Sequence, residues 1–182
     1  QYYYYMERLL HGDLGTSPTT HRPVAQDIAR YLPHTIELSI FAMIVSLGLG
    51  IPSGLISALK RNKPEDHAAR IISLLGISMP LFWFAILAQL VMYYYLGLLP
   101  GQGLLSGLPP EKITGMTTLD SLLTGNLPAF IDVLRHIILP GFCDAYPALA
   151  IVSRLTRSSV LEVLQQDYVT TAKAKGLPER II

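Results

Sequence analysis

Apolar residues crowd into three long stretches of the chain, and the polar positions between them come in blocks rather than in alternation. About 20 consecutive apolar residues are what a helix needs to cross a bilayer. The pattern predicts membrane-spanning helices at 34–59, 71–97 and 136–165, leaving 1–33, 60–70, 98–135 and 166–182 outside the lipid. The first span carries one charged residue, Glu37, at its outer end, where it can reach water or the N-terminus of its own helix. The second carries no formal charge and ends at Tyr93-Tyr94-Tyr95, a cluster suited to the membrane–water interface. Pro80 is expected to bend this span, and Trp83 reads as a packing residue rather than a ligand contact.

Spacing inside the first span adds a partner. Ala42, Ser46, Gly50, Gly54 and Ala58 recur at every fourth position and form one ridge of small side chains, with a GxxxG pair at Gly50 and Gly54. Another helix can approach closely along such a ridge, and Pro52 beside it is expected to kink the helix. The plainer alternative is a glycine-rich stretch that packs on nothing.

Charge placement sets the orientation. Lys60, Arg61, Lys63 and Arg70 lie in the short link between the first two spans and mark it as cytoplasmic, and Arg154 and Arg157 mark the exit of the third span on that side. In 98–135, Lys112 and Arg135 are outnumbered by Glu111, Asp120 and Asp132, which makes this an outer loop. Structureless loops of such length are usually functional or disordered, and a soluble partner could contact this one. At the start of the chain, the tyrosine-rich stretch Tyr2–Leu10 predicts an amphipathic helix lying along the interface.

The third span is the least regular, with Pro140-Gly141 and Pro147 flanking Asp144. A carboxylate near mid-depth costs ~2.5–3.5 kcal/mol on insertion scales. Three readings of Asp144 stay open: it caps a helix restarting after Pro140-Gly141, it faces a water-filled pathway and meets the cationic end of a substrate, or it pairs with a basic residue of another helix or subunit. Cys143 and His136 have no metal-ligand partners at suitable spacing and read as structural.

Composition agrees with this picture. Of 182 residues, 51% are hydrophobic and 15% charged, against roughly 25% charged in a soluble domain. The basic residues sit in short clusters beside apolar spans, unlike the broad patch of a nucleic-acid binder. A single cysteine excludes an internal disulfide framework. There is no Gly-rich nucleotide loop ending in Gly-Lys-Ser/Thr, and hence no ATPase machinery in this chain. The chain opens at Gln1 without an initiator Met and stops at Ile182 inside what reads as a new helix, so an internal piece of a larger membrane protein is expected.

After the arginine pair, Leu155, Val160, Leu161, Val163 and Leu164 continue an amphipathic helix out of the membrane. It leads into a short helical stretch from Val169 to Lys175, ended by a left-handed cap at Gly176 and by Pro178. Thr171, Ala172 and Ala174 are small enough to enter a groove on another protein, and Lys173 and Lys175 complement the negative end of the helix dipole. An ordinary solvated juxtamembrane helix is the bland alternative.

The run Arg154-Leu155-Thr156-Arg157-Ser158-Ser159-Val160-Leu161-Glu162-Val163-Leu164, followed by Gln166-Asp167-Tyr168 and by Thr171-Ala172-Lys173-Ala174-Lys175-Gly176-Leu177, resembles the cytoplasmic signature of permease subunits in ATP-binding-cassette importers of dipeptides and oligopeptides. Gly12-Asp13-Leu14-Gly15, Leu32-Pro33-His34-Thr35, Gly50-Ile51-Pro52 and His136-Ile137-Ile138-Leu139-Pro140 extend the likeness in family order over essentially the whole chain.

The resemblance implies an all-α membrane protein, a fragment of a type I importer transmembrane domain with three transmembrane helices and a cytoplasmic coupling helix. That helix would sit in a cleft of the ATP-hydrolysing subunit, with Tyr168, Thr171, Ala172, Ala174, Lys175 and Gly176 as its docking residues. Thr170 stands where the wider importer signature has an acidic residue. Implied partners are a second permease subunit, two ATP-binding subunits holding ATP and Mg, an extracytoplasmic solute-binding protein and the lipid of a bacterial or archaeal cytoplasmic membrane. No cofactor, metal or catalytic residue is expected in this chain. Similar proteins import dipeptides, longer peptides, glutathione or nickel complexes. From a different class, an ion-driven secondary transporter would use Asp144 as its ion site.

Overall fold

The computed structural model describes residues 2–176 and 178. It is helical, with no strand among the described residues and one isolated bridge between Thr16 and Pro23. Within the described residues seven α-helices follow one another: α1 (Tyr2–Leu10), α2 (Val24–Leu59), α3 (Pro64–Ser78), α4 (Leu81–Gln89), α5 (Thr117–Leu123), α6 (Leu127–Leu164) and α7 (Asp167–Ala174), with a π-helical turn at Leu90–Tyr95 directly after α4. The chain divides into two compact units, 1–38 with 104–134 and 39–103 with 135–182.

The first unit begins with the expected tyrosine-rich helix, whose four tyrosines are all exposed. Its end is tied down when Arg8 donates to Asp13 Oδ2 at 2.9 and 2.7 Å, while Asp13 Oδ1 accepts the Gly15 N–H at 2.8 Å. Helix α2 starts at Val24, so the helix containing the first span reaches back well before 34.

Glu37, the lone charge of that span, is buried. Its carboxylate accepts the N–H groups of Thr117 at 3.2 Å and Thr118 at 2.5 Å. These are orphan donors of the first turn of α5, so Glu37 serves a helix N-terminus, but that of another helix. Asp120, also buried, accepts the Thr114 N–H and hydroxyl, each at 2.7 Å, and the Gly115 N–H at 3.0 Å. Burial pushes the Asp120 carboxyl up, and the Thr114 and Gly115 donors outweigh it, leaving the group below its ordinary value. The polar segment expected as an outer loop therefore has an internal frame. Asn126 completes it by accepting the Ala129 N–H at 3.1 Å, an N-cap for α6. Glu37→Ala is expected to cost about 1–2 kcal/mol, the worth of a lost cap, and to speed hydrogen exchange at Thr117 and Thr118; unchanged exchange at both amides would remove Glu37 from this role.

In the second unit the small-residue ridge has its partner. Ala42, Ser46, Gly50, Gly54 and Ala58 are all buried, and a Cβ added at Gly50 would lie 2.9 Å from Val152 Cγ1 and 3.1 Å from the Leu149 carbonyl oxygen. At Gly54 it would meet the Ser153 carbonyl oxygen and, at 2.7 Å, Thr156 Cβ. The Ser53 hydroxyl donates to Ser153 Oγ at 2.9 Å across the same seam. Helices α2 and α6 thus approach nearly backbone to backbone, as small residues permit where both solvents for the helix surface are apolar.

The 71–97 stretch holds two helical segments that meet at a sharp bend at Pro80. The axes on either side of Met79-Pro80 differ by 109°. The α region is disfavoured for a residue before proline, and Met79 is extended, with φ −86° and ψ 134°. Among the described residues two helices, α2 and α6, are individually long and apolar enough to cross a membrane, and the count reaches three if the bent pair is taken as one span.

Helix α6 runs through both Pro140 and Pro147 without a break. The expected interruption and restart at Asp144 is therefore corrected: Asp144 lies inside a continuous helix and has no helix start to cap. Membrane helices tolerate proline because neighbouring groups satisfy the freed carbonyls.

Candidate functional site

The stretch after α6 forms a separate helix because Gln166, with φ −68° and ψ 150°, turns the chain out of the α region before Asp167. Helix α7 then runs to Ala174 and stops as expected: Gly176 has φ +74°, and its N–H bonds to the Lys173 carbonyl at 3.0 Å. A Cβ on Gly176 would meet nothing within 4 Å, so glycine is required there by backbone conformation and not by space.

Two sides of α7 differ. Val169 is 2% exposed and Ala172, three residues on, is half-buried, so they form the inward side. Tyr168, at 64% exposure, stands outside with Thr171, Ala174, Lys175 and Gly176. The Thr171 hydroxyl donates to the Asp167 carbonyl at 2.8 Å and is thus used within the helix. Five of the six residues proposed for docking from the sequence share the exposed surface, and Ala172 partly belongs to the seat. Leu177 and residues 179–182, the end of the expected coupling region, lie outside the described residues.

Sequence reasoning missed what fixes the helix ahead of α7. Asp66, in the first turn of α3, has 0% exposure. Its carboxylate accepts Arg157 Nε at 2.8 Å and Nη2 at 3.0 Å from α6, the Ser57 hydroxyl at 2.6 Å from the end of α2, and the Asn62 N–H at 2.9 Å. Arg70 Nε stands 3.5 Å away. Arg157, then Ser57, hold the Asp66 carboxyl far below the usual carboxylate range, against the opposing push of burial. Two adjacent acidic residues in a basic link, Glu65 and Asp66, are the available signal, and in the sequence Arg157 marks sidedness and belongs to the family-like run. Tyr146 adds a further tie between α6 and α3, donating to the Ile72 carbonyl at 2.8 Å.

Asp144 is exposed on α6, about 30 Å along the axis from Leu164 at ~1.5 Å per residue, and is not brought to α7. His136 and Cys143 are buried and line one cavity of about 270 Å³. No cluster of His, Cys, Asp or Glu able to hold a metal occurs among the described residues.

Residues 50–182, from the ridge through the end of the chain, match the family of binding-protein-dependent transport system inner membrane components. The chain belongs to this family. The family has the transmembrane fold of type I ATP-binding-cassette importers, in agreement with the all-helical structure.

Among its relatives is the probable D,D-dipeptide transport system permease protein DdpB of Escherichia coli, 44% identical over 98% of this chain and 53% of the relative. The dipeptide transport system permease protein DppB of Alkalihalophilus pseudofirmus is 40% identical over 100% of this chain and 55% of its own length. The putrescine export system permease protein SapB of Escherichia coli is 35% identical over 96% of this chain and 56% of its own length. The chain spans about half the length of the curated relatives it matches. Membership in this permease family gives no support to the ion-driven alternative.

Proposed function

We propose that the full-length protein is the membrane-spanning permease of an ATP-driven importer of dipeptides or oligopeptides, with α7 as the helix that couples it to a separate ATPase. The observation that carries this reading is the family match over residues 50–182, which takes in the α2–α6 seam, the Asp66 clasp and α7. The names of two relatives concern dipeptides, and that of the third concerns putrescine export, so cargo is the least constrained part of the proposal.

In this reading the Lys60–Arg70 link and α7 face the cytoplasm, by the rule that basic residues stay on that side. The 98–135 segment faces outward and receives a solute-binding protein. Two ATP-binding subunits, with ATP and Mg, and a second permease subunit complete the assembly. The present chain binds no nucleotide and makes no chemical step; it would convert closure of the ATPases into movement of α6 and of the helices clasped to it. Asp144, exposed on α6, is the one candidate for the translocation pathway.

Gly176→Val places a β-branched residue at φ +74°, costing roughly 1–2 kcal/mol for the left-handed conformation and misdirecting the end of α7. Ala172→Arg disturbs the half-buried side, and Thr171→Arg changes the exposed side alone. In the full-length protein all three are expected to abolish uptake of a labelled dipeptide and recovery of the ATPase subunit on co-purification, with membrane insertion unchanged. Normal uptake by all three variants, or a wild-type protein that brings down no ATPase, overturns the proposal.

A further inference from the structure

A cavity of about 370 Å³ opens between α2, α3 and α6 in the second unit. Its polar wall carries Arg70, Arg154, Arg157 and Ser73, and its apolar wall carries Leu74 and Ile77, both exposed. Behind this wall the Asp66 carboxylate is held by Arg157 through two hydrogen bonds, and Arg70 stands 3.5 Å from it. Among the described residues Arg154 has no ion pair and the Ser73 hydroxyl makes no hydrogen bond. The cavity is left with an uncompensated positive charge and an unused hydroxyl donor. Its volume exceeds several times the ~30 Å³ share of one water molecule.

The arginines also stand at a particular level. Arg70 immediately precedes the apolar run from Ile71, Arg154 immediately follows the apolar run ending at Ser153, and Ser57 lies just before Lys60-Arg61. This is where lipid-facing sequence gives way to water-facing sequence, the level of phospholipid phosphates. A planar guanidinium fork suits phosphate oxygens, and basic pockets between membrane helices suit anionic headgroups.

We propose that this cavity binds an anionic phospholipid, its phosphate held by Arg154 and Arg70 with the Ser73 hydroxyl, and its acyl chains lying on Leu74 and Ile77. The Asp66–Arg157 pair forms the inner wall and sets the charge that the headgroup neutralises. This goes beyond the transport reading and requires only that the chain lie in a membrane.

The test uses the full-length protein in nanodiscs of phosphatidylethanolamine with or without phosphatidylglycerol, with retained lipid counted by native mass spectrometry. Wild-type protein is expected to retain phosphatidylglycerol in preference to phosphatidylethanolamine. Arg154→Gln should weaken that retention about fivefold, the effect of one arginine on an anionic surface, and Arg154→Lys should preserve most of it. Arg154 takes no part in the Asp66 clasp, so thermal stability in phosphatidylethanolamine alone should be equal for all three proteins. Equal retention of the two lipids, equal retention by wild type and Arg154→Gln, or displacement of the lipid by inorganic phosphate alone would each overturn the proposal. None of these readouts involves uptake, so failure of the transport reading is separately visible.

Discussion

Gly54→Ala is expected to destabilise the full-length protein in detergent by about 1–3 kcal/mol, the usual cost of overpacking, with Gly54→Leu failing to assemble a native α2–α6 pair. The added methyl group would run into the Ser153 carbonyl oxygen and stand 2.7 Å from Thr156 Cβ. Backbone cannot turn aside as a side chain can, so the helices must separate and the bond from Ser53 to Ser153, 2.9 Å long, is lost with them. Gly48 supplies the control. It lies on the same helix with nothing within 4 Å of an added Cβ, and Gly48→Ala should be neutral or slightly stabilising, since alanine is the better helix former. Equal unfolding temperatures for the two alanine variants would show that the seam does not depend on close approach.

Asp66→Ala should have the larger effect, about 3–5 kcal/mol, because removal of one partner from a buried pair strands the other. Here the stranded group is the Arg157 guanidinium, whose side chain is one-fifth exposed, and the Ser57 hydroxyl and Asn62 N–H lose their acceptor as well. Arg157→Met alone should be comparably damaging, leaving a carboxylate of 0% exposure with only Arg70, 3.5 Å away, as its counter-charge. The double variant is the informative one: apolar replacement of both members is often close to neutral, so it should be more stable than either single variant. Strict additivity of the two single losses in a double-mutant cycle would rule out direct coupling between the residues.

Much of this was legible from local pattern. The ridge from Ala42 to Ala58 predicted a close helix contact because its spacing is a property of one helix; which helix it meets is not, and only the fold identifies Val152 and Ser153. The αL cap at Gly176 and the helix at Tyr2–Leu10 were readable for the same reason, being decided within a few residues of themselves. The Asp66–Arg157 clasp joins residues 91 positions apart, and nothing in either neighbourhood announces the other. Proline shows the limit most directly. Pro80 ends a helix while Pro140 and Pro147 sit inside one, and the residue type is identical in all three cases. Met79 takes an extended conformation, which opens the 109° bend. In α6 the backbone stays helical within packed surroundings, which a residue-by-residue reading does not contain.

Helix α7 is eight residues long, shorter than the ~12–15 at which isolated helices become even marginal in water. Val169 is its one fully buried side chain, so little of its order comes from the rest of the chain. Its other side presents Tyr168, a large aromatic in solvent. If α7 couples to an ATPase as proposed, a partner that covers that tyrosine would add to this order. A binding event there would be registered as the completion of a helix, with the ordering cost subtracted from the affinity, so that the contact can be both specific and readily released.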